Sequence, residues 1–149
     1  MTRDEVTEMV RDAKRKTGKT WAELAAAINP DVSPIVITCA LLGQMTLDKA
    51  EAEKACATLG LPADCALLLA EIPYRGSIPS MPPTDPLIYR FYELVMVYGT
   101  TFKELIQEEF GDGIMSAIDF DMAMERQPDP KGDRVKLSMS GKFLPYKRY

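Results

Sequence analysis

Arg90 and Glu93 stand three residues apart inside LIYRFYELVMVY, and they are the only two charges in that run. At this spacing a guanidinium and a carboxylate share one side of a helix. Two kinds of chemistry fit. The plainer is an i,i+3 ion pair contributing roughly 0.2–0.5 kcal/mol to the helix. The sharper is an anion site, in which a carboxylate holds an arginine fork and aromatic side chains wall it in. A planar guanidinium can grip a carboxylate-like group in two places. It tolerates separation from water only when it has a partner or a ligand. The spacing of the pair is compatible with either reading.

Other chemistry is narrowed by what the chain lacks. It has no histidine, which excludes Ser-His-Asp and Cys-His nucleophilic machinery and removes the commonest zinc ligand. Acid–base work falls to carboxylates, Lys, Tyr, Cys or the protons of a substrate. The glycines are scattered as helix and turn stops and form no phosphate loop. Cys39, Cys56 and Cys65 show no CxxC spacing and fall in helix-like stretches. They read as small buried apolar residues of a reduced, cytoplasmic protein.

The 149 residues suit one compact unit or two small ones, and 46% hydrophobic with 27% charged is ordinary soluble composition. A net charge of -4 argues against general affinity for nucleic acid. No apolar run has the length of a membrane span, and MTRDEVTEMVRD is charged rather than signal-like.

The elements that must position Arg90 and Glu93 follow from caps and periodicity. Asp85 supplies an N-cap oxygen, Pro86 fits the first helical position, and Gly99 is expected to end the helix. Leu87, Ile88, Phe91, Leu94, Val95 and Tyr98 form one face. Tyr89, Tyr92 and Met96 make a second, and Arg90, Glu93 and Val97 share the rest. A helix apolar nearly all round is expected to be buried nearly all round. Thr101 and Glu104 read as a capping box opening a separate short helix that ends near Gly111. After Gly111-Asp112-Gly113, Ile118, Phe120, Met122 and Met124 alternate with polar or small residues as a one-sided strand. Val135, Leu137 and Met139 alternate on a returning strand.

Before this region, residues 3–17 are helical and stop at Gly18. Thr20 and Glu23 make a capping box for the next helix, which Asn29-Pro30 breaks. Ser33-Pro34 opens a third helix running toward Gly43. Thr46 is expected to cap a fourth that stops at Gly60, and Pro62 to start a fifth ending near Pro73. The fold class is therefore α+β. A five-helix bundle over residues 1–72 has a middle like a helix-turn-helix, a proline-rich linker covers 73–86, and a helix with a β-hairpin occupies 87–149. Ser33 to Met45 contains no Lys, Arg or Asn, so this stretch reads as a packing scaffold that binds no DNA.

The run TDPLIYRFYELVMVYGTTFKELIQEEFGDGIMSAIDF closely resembles the cyanases (cyanate hydratases, or cyanate lyases). So do LLGQ at 41–44, IPYRG at 72–76 and GKFLP at 141–145. The resemblance implies that Arg90, Glu93 and Ser116 are catalytic. It implies bicarbonate-dependent conversion of cyanate to carbamate and CO2, carbamate then giving ammonia and CO2 unaided. It also implies no metal and no organic cofactor, bicarbonate being a co-substrate, and a homodecamer built from dimers. In that setting Arg90 is the anion clamp and Ser116 a hydroxyl donor to the same anion. Glu93 orients Arg90 or relays a proton. The plainer alternatives are a helix-capping role for Ser116 and a structural one for Glu93.

The residues themselves point to more than one chain. Two strands alone make an unstable sheet, and the helix at 86–98 is more apolar than one small domain can cover. Interlocking of two chains would answer both deficits, and the resemblance implies the same intertwined C-terminal domain.

Overall fold

The computed structural model describes residues 1–148, which divide into two compact units. One comprises residues 1–77 with 123–136, the other residues 78–122 with 137–148. The order is α1 (Arg3–Thr17), α2 (Trp21–Ile28), α3 (Pro34–Leu41), α4 (Lys49–Leu59), α5 (Cys65–Ala70), α6 (Pro86–Phe110), β1 (Gly113–Gln127) and β2 (Arg134–Pro145). The mixed α+β architecture is that expected from the sequence.

In the first unit, α1 to α5 pack around one apolar core. Val6 and Val10 of α1 meet Leu24 and Ile28 of α2, Ile37 and Leu41 of α3, Leu59 of α4, and Leu69 of α5. The caps explain the boundaries. Thr2, Thr20 and Asp48 each accept from the backbone of a glutamate three residues on, whose side chain accepts from the cap backbone in return. Gly18 and Gly60 close α1 and α4 in the left-handed region, where a side chain would be strained. The expected cap at Thr46 is corrected to Asp48. Thr46 has no acid three residues later, whereas Asp48-x-x-Glu51 completes both halves of a capping box.

Two further ties hold this unit together. The Gly76 amide donates to Gln44 Oε1 at 2.7 Å, so LLGQ and IPYRG, distant in sequence, meet in space. Arg3 donates to Thr7 and to the Ala40 carbonyl, and burial lowers its guanidinium pKa. Of the cysteines, Cys56 and Cys65 are buried as expected, but Cys39 is only half-buried. The middle of this unit carries its apolar residues inward: Ile37, Ala40 and Leu41 of α3 are all buried.

The second unit contrasts sharply with the first. Of its described residues only Pro83 and Ser116 are buried. α6 is one continuous helix from Pro86 to Phe110, with Asp85 accepting from Leu87 and Ile88 at its start. The expected break at Gly99 and the separate helix capped by Thr101 do not occur. A lone glycine costs a helix about 1 kcal/mol relative to alanine, too little to stop a run that good helix formers resume at Lys103, Glu104 and Leu105. Gly99 keeps negative φ, and the helix ends at Gly111 instead. α6 has no buried residue within the chain, so its apolar faces are left uncovered by its own domain. Leu87 is 69% exposed and Tyr98 54%.

β1 and β2 pair as a two-stranded hairpin. Glu125 meets Lys136, and Arg126 meets Asp133, toward its turn. β1 begins at Gly113, earlier than the alternation at Ile118 suggested, so Ser116 lies inside the strand and caps no helix. Gly113 explains the early start. A Cβ there would lie 2.5 Å from the Phe143 ring and 2.9 Å from Pro145 Cα, so only glycine lets the strands approach so closely.

Candidate active site

Arg90 sits one turn into α6, after the Asp85 cap and Pro86 have fixed the direction of the helix. Its Nη1 lies 3.4 Å from Glu93 Oε2, and its Cζ lies 5.3 Å from the centre of the Tyr89 ring. Tyr89 and Tyr92 are themselves 6.0 Å apart, centre to centre. The guanidinium is thus flanked by a carboxylate and an aromatic face, both of which favour its charge. Its side chain remains 63% exposed, which leaves donors free for an incoming anion.

Ser116 is arranged differently. It is 5% exposed, and its Oγ accepts from the backbone amides of Ile118 at 3.0 Å and Asp119 at 2.9 Å. Two accepted bonds use both oxygen lone pairs. The remaining function is the O–H bond, and the two amides polarise it toward donation. Attack by this oxygen would require giving up those bonds, and the sequence contains no histidine to take its proton. The arrangement suits a hydrogen-bond donor to a negatively charged group.

Arg90 and Glu93 are therefore brought together. Among the described residues, no hydrogen bond or ion pair joins Ser116 to either of them within one chain. Nor do the described residues include a cluster of three or more His, Cys, Asp or Glu able to hold a metal. Sequence reasoning missed the two amides that fix the Ser116 hydroxyl. A serine followed by two residues whose amides fold back on it leaves no distinctive spacing, because the amides of any residue type would serve.

Comparisons with known proteins fall on both halves of the chain. A family described as "Cyanate hydratase, N-terminal" matches residues 3–73, and "Cyanate lyase C-terminal domain" matches residues 80–148. The chain belongs to the cyanate lyase family. Curated relatives named cyanate hydratase include one from Ralstonia pickettii, 60% identical, and one from Dechloromonas aromatica, 58% identical. Each alignment spans all of this chain and all of the relative. A crystal structure of cyanase from T. urticae is similar with a TM-score of 0.81 at 40% identity, covering 94% of this chain and 96% of that one. The α+β fold and the family agree with the resemblance carried by YRFYE and FGDGIMSAI.

Proposed function

We infer that the chain is a cyanate hydratase that joins cyanate to bicarbonate, with Arg90, Glu93 and Ser116 as its catalytic residues. The full-length likeness to cyanate hydratases supports the activity. The observation carrying the residue assignment is the buried Ser116 hydroxyl, held as a donor by two amides.

Cyanate offers an electrophilic carbon and bicarbonate a nucleophilic oxygen, but both are anions. Bringing two unit charges to 4 Å costs about 4 kcal/mol at an effective dielectric near 20. Arg90 offsets this by gripping the carboxylate-like oxygens of bicarbonate, and Ser116 donates its one hydroxyl hydrogen to the same anion. Holding the two reactants together removes most of the remaining entropic barrier. The bicarbonate oxygen bonds to the cyanate carbon, and a carbon–oxygen bond of the former bicarbonate then breaks to release CO2. Cyanate, bicarbonate and one proton thus give carbamate and CO2. Glu93 orients Arg90 and passes a proton to the cyanate nitrogen. Carbamate takes up a second proton and falls apart to ammonia and CO2.

The reaction needs no metal or organic cofactor in this account, because bicarbonate brings a proton of its own and Arg90 supplies the positive charge. The working unit is an intertwined dimer, assembled further into a decamer in the cytoplasm. The uncovered apolar length of α6 supports the dimer, since monomers rarely expose apolar patches beyond about 300–600 Å². Two chains sharing one dyad also bring two copies of Arg90 toward two anions.

Ammonia release from cyanate, measured with and without bicarbonate and after exhaustive chelation, tests this reading. Turnover should require bicarbonate and survive chelation. Equal rates without bicarbonate would contradict the two-substrate reaction, and loss on chelation with recovery on adding a metal would contradict cofactor independence.

A further inference from the structure

Gly141 lies in β2 against the stretch of β1 that carries Ser116. A Cβ there would fall well inside contact distance of the Ser116 carbonyl oxygen, and 2.6 Å from Met115 Cγ. Backbone strain is not the reason for glycine at this position, because Gly141 keeps φ outside the left-handed region. The reason is space. The Ser116 carbonyl faces Gly141 on the neighbouring strand, while the Oγ of the same residue accepts from the amides of Ile118 and Asp119. Only a residue without a side chain lets that strand come so near.

We propose that Gly141 is a positioning residue for the reaction: by lacking a side chain it fixes the main chain of Ser116 and so aims the hydroxyl. Any side chain at 141 pushes the Ser116 carbonyl away. The peptide plane tilts with it, and Oγ shifts relative to the two amides that hold it. The hydroxyl then loses both its location and its polarisation toward donation. Met115 is the softer of the two obstacles, since a flexible thioether can turn aside, whereas a strand carbonyl cannot move alone.

Gly113 offers a comparison on the same hairpin. Its close neighbours are Phe143, Leu144 and Pro145, and none of them is Ser116. A side chain at 113 disturbs strand pairing to a similar degree without pressing on the Ser116 peptide.

This inference rests on the reading that Ser116 touches substrate, and a double-mutant cycle separates the two. Wild type, Ser116→Ala, Gly141→Ala, the double variant and Gly113→Ala are assembled, and kcat and KM are measured for cyanate. Gly141→Ala should lower kcat about 100-fold, the scale expected for a group misplaced by an ångström, with little change in KM. Adding it to Ser116→Ala should cost almost nothing further, and Gly113→Ala should keep most of the wild-type kcat. A Ser116→Ala variant as fast as wild type would overturn the underlying site reading. If Ser116→Ala is crippled but Gly141→Ala is fully active, or lowers kcat just as much in the Ser116→Ala background, the positioning role is wrong.

Should Gly141→Ala fail to assemble, Met115→Ala/Gly141→Ala gives the new methyl room on one side and leaves the Ser116 carbonyl obstructed. It should remain slow compared with Met115→Ala alone. Recovery of the full Met115→Ala rate would show that the Met115 contact, not the Ser116 main chain, was what Gly141 protected.

Discussion

Arg90 Nη1 stands 3.4 Å from Glu93 Oε2, one turn apart on α6, with both side chains still reaching solvent. This is an ion pair looser than the 2.7–2.9 Å of a tight charge-assisted hydrogen bond. A guanidinium held this way is oriented without being used up, and its fork can turn to a bound anion. An ammonium in its place would keep the charge and lose the two-pronged grip. Arg90→Lys should therefore lower kcat on the order of 100-fold while leaving assembly intact. Steady-state ammonia production checks this. Near-normal rate with unchanged anion affinity would remove the clamp role.

Capping gives a prediction about stability alone. Asp48 accepts from the Glu51 amide at 2.7 Å, whereas Thr46 is not the cap of α4. Asp48→Ala should cost about 1 kcal/mol and Thr46→Ala much less. Urea midpoints followed by helical circular dichroism would separate the two. The reverse order would return the cap to Thr46.

The cysteines give a prediction about pH. Burial pushes the Cys65 thiol up, with Asp64 adding to it, and burial likewise raises Cys56 beside Cys65. Burial also raises half-buried Cys39, but the Arg75 guanidinium opposes it. A raised thiol keeps its proton in the folded state above the pH at which the unfolded thiol loses it. Stability should thus fall as pH rises above about 8.5, the unfolded thiol value. At neutral pH, alkylation followed by mass spectrometry should modify Cys39 first, and Cys56 and Cys65 only after unfolding. Rapid labelling of Cys65 in the native protein would contradict this.

Much of the architecture is legible because its signals are local. Thr20-x-x-Glu23 and Asp85-Pro86 each place a helix start within a few residues, and alternation from Ile118 to Met124 marks a strand. The misreadings have local signals too, but stronger local signals beside them win. Gly99 has the look of a helix stop, yet the residues after it form helix well enough to carry the run to Phe110. Thr101-x-x-Glu104 satisfies a capping pattern in the middle of a helix that had no need of a cap.

The candidate site was legible in its side chains and hidden in its backbone. Arg90 and Glu93 announce themselves as charges in an apolar run. The hold on the Ser116 hydroxyl comes from two amides, and the room beside it from Gly141 on the other strand. Such features depend on how the strands approach each other, and residue type along one strand does not encode that.

The central claim is that one chain supplies Arg90 and Ser116 but two chains make the site. Within one chain α6 has no buried residue, and no hydrogen bond or ion pair among the described residues links Ser116 to Arg90. Turnover and sedimentation velocity measured in the same solutions, across dilution and mild urea, test this directly. Activity should disappear in step with the dimer while the helical signal of α1 to α5 persists. A monomer that keeps full specific activity would contradict the account.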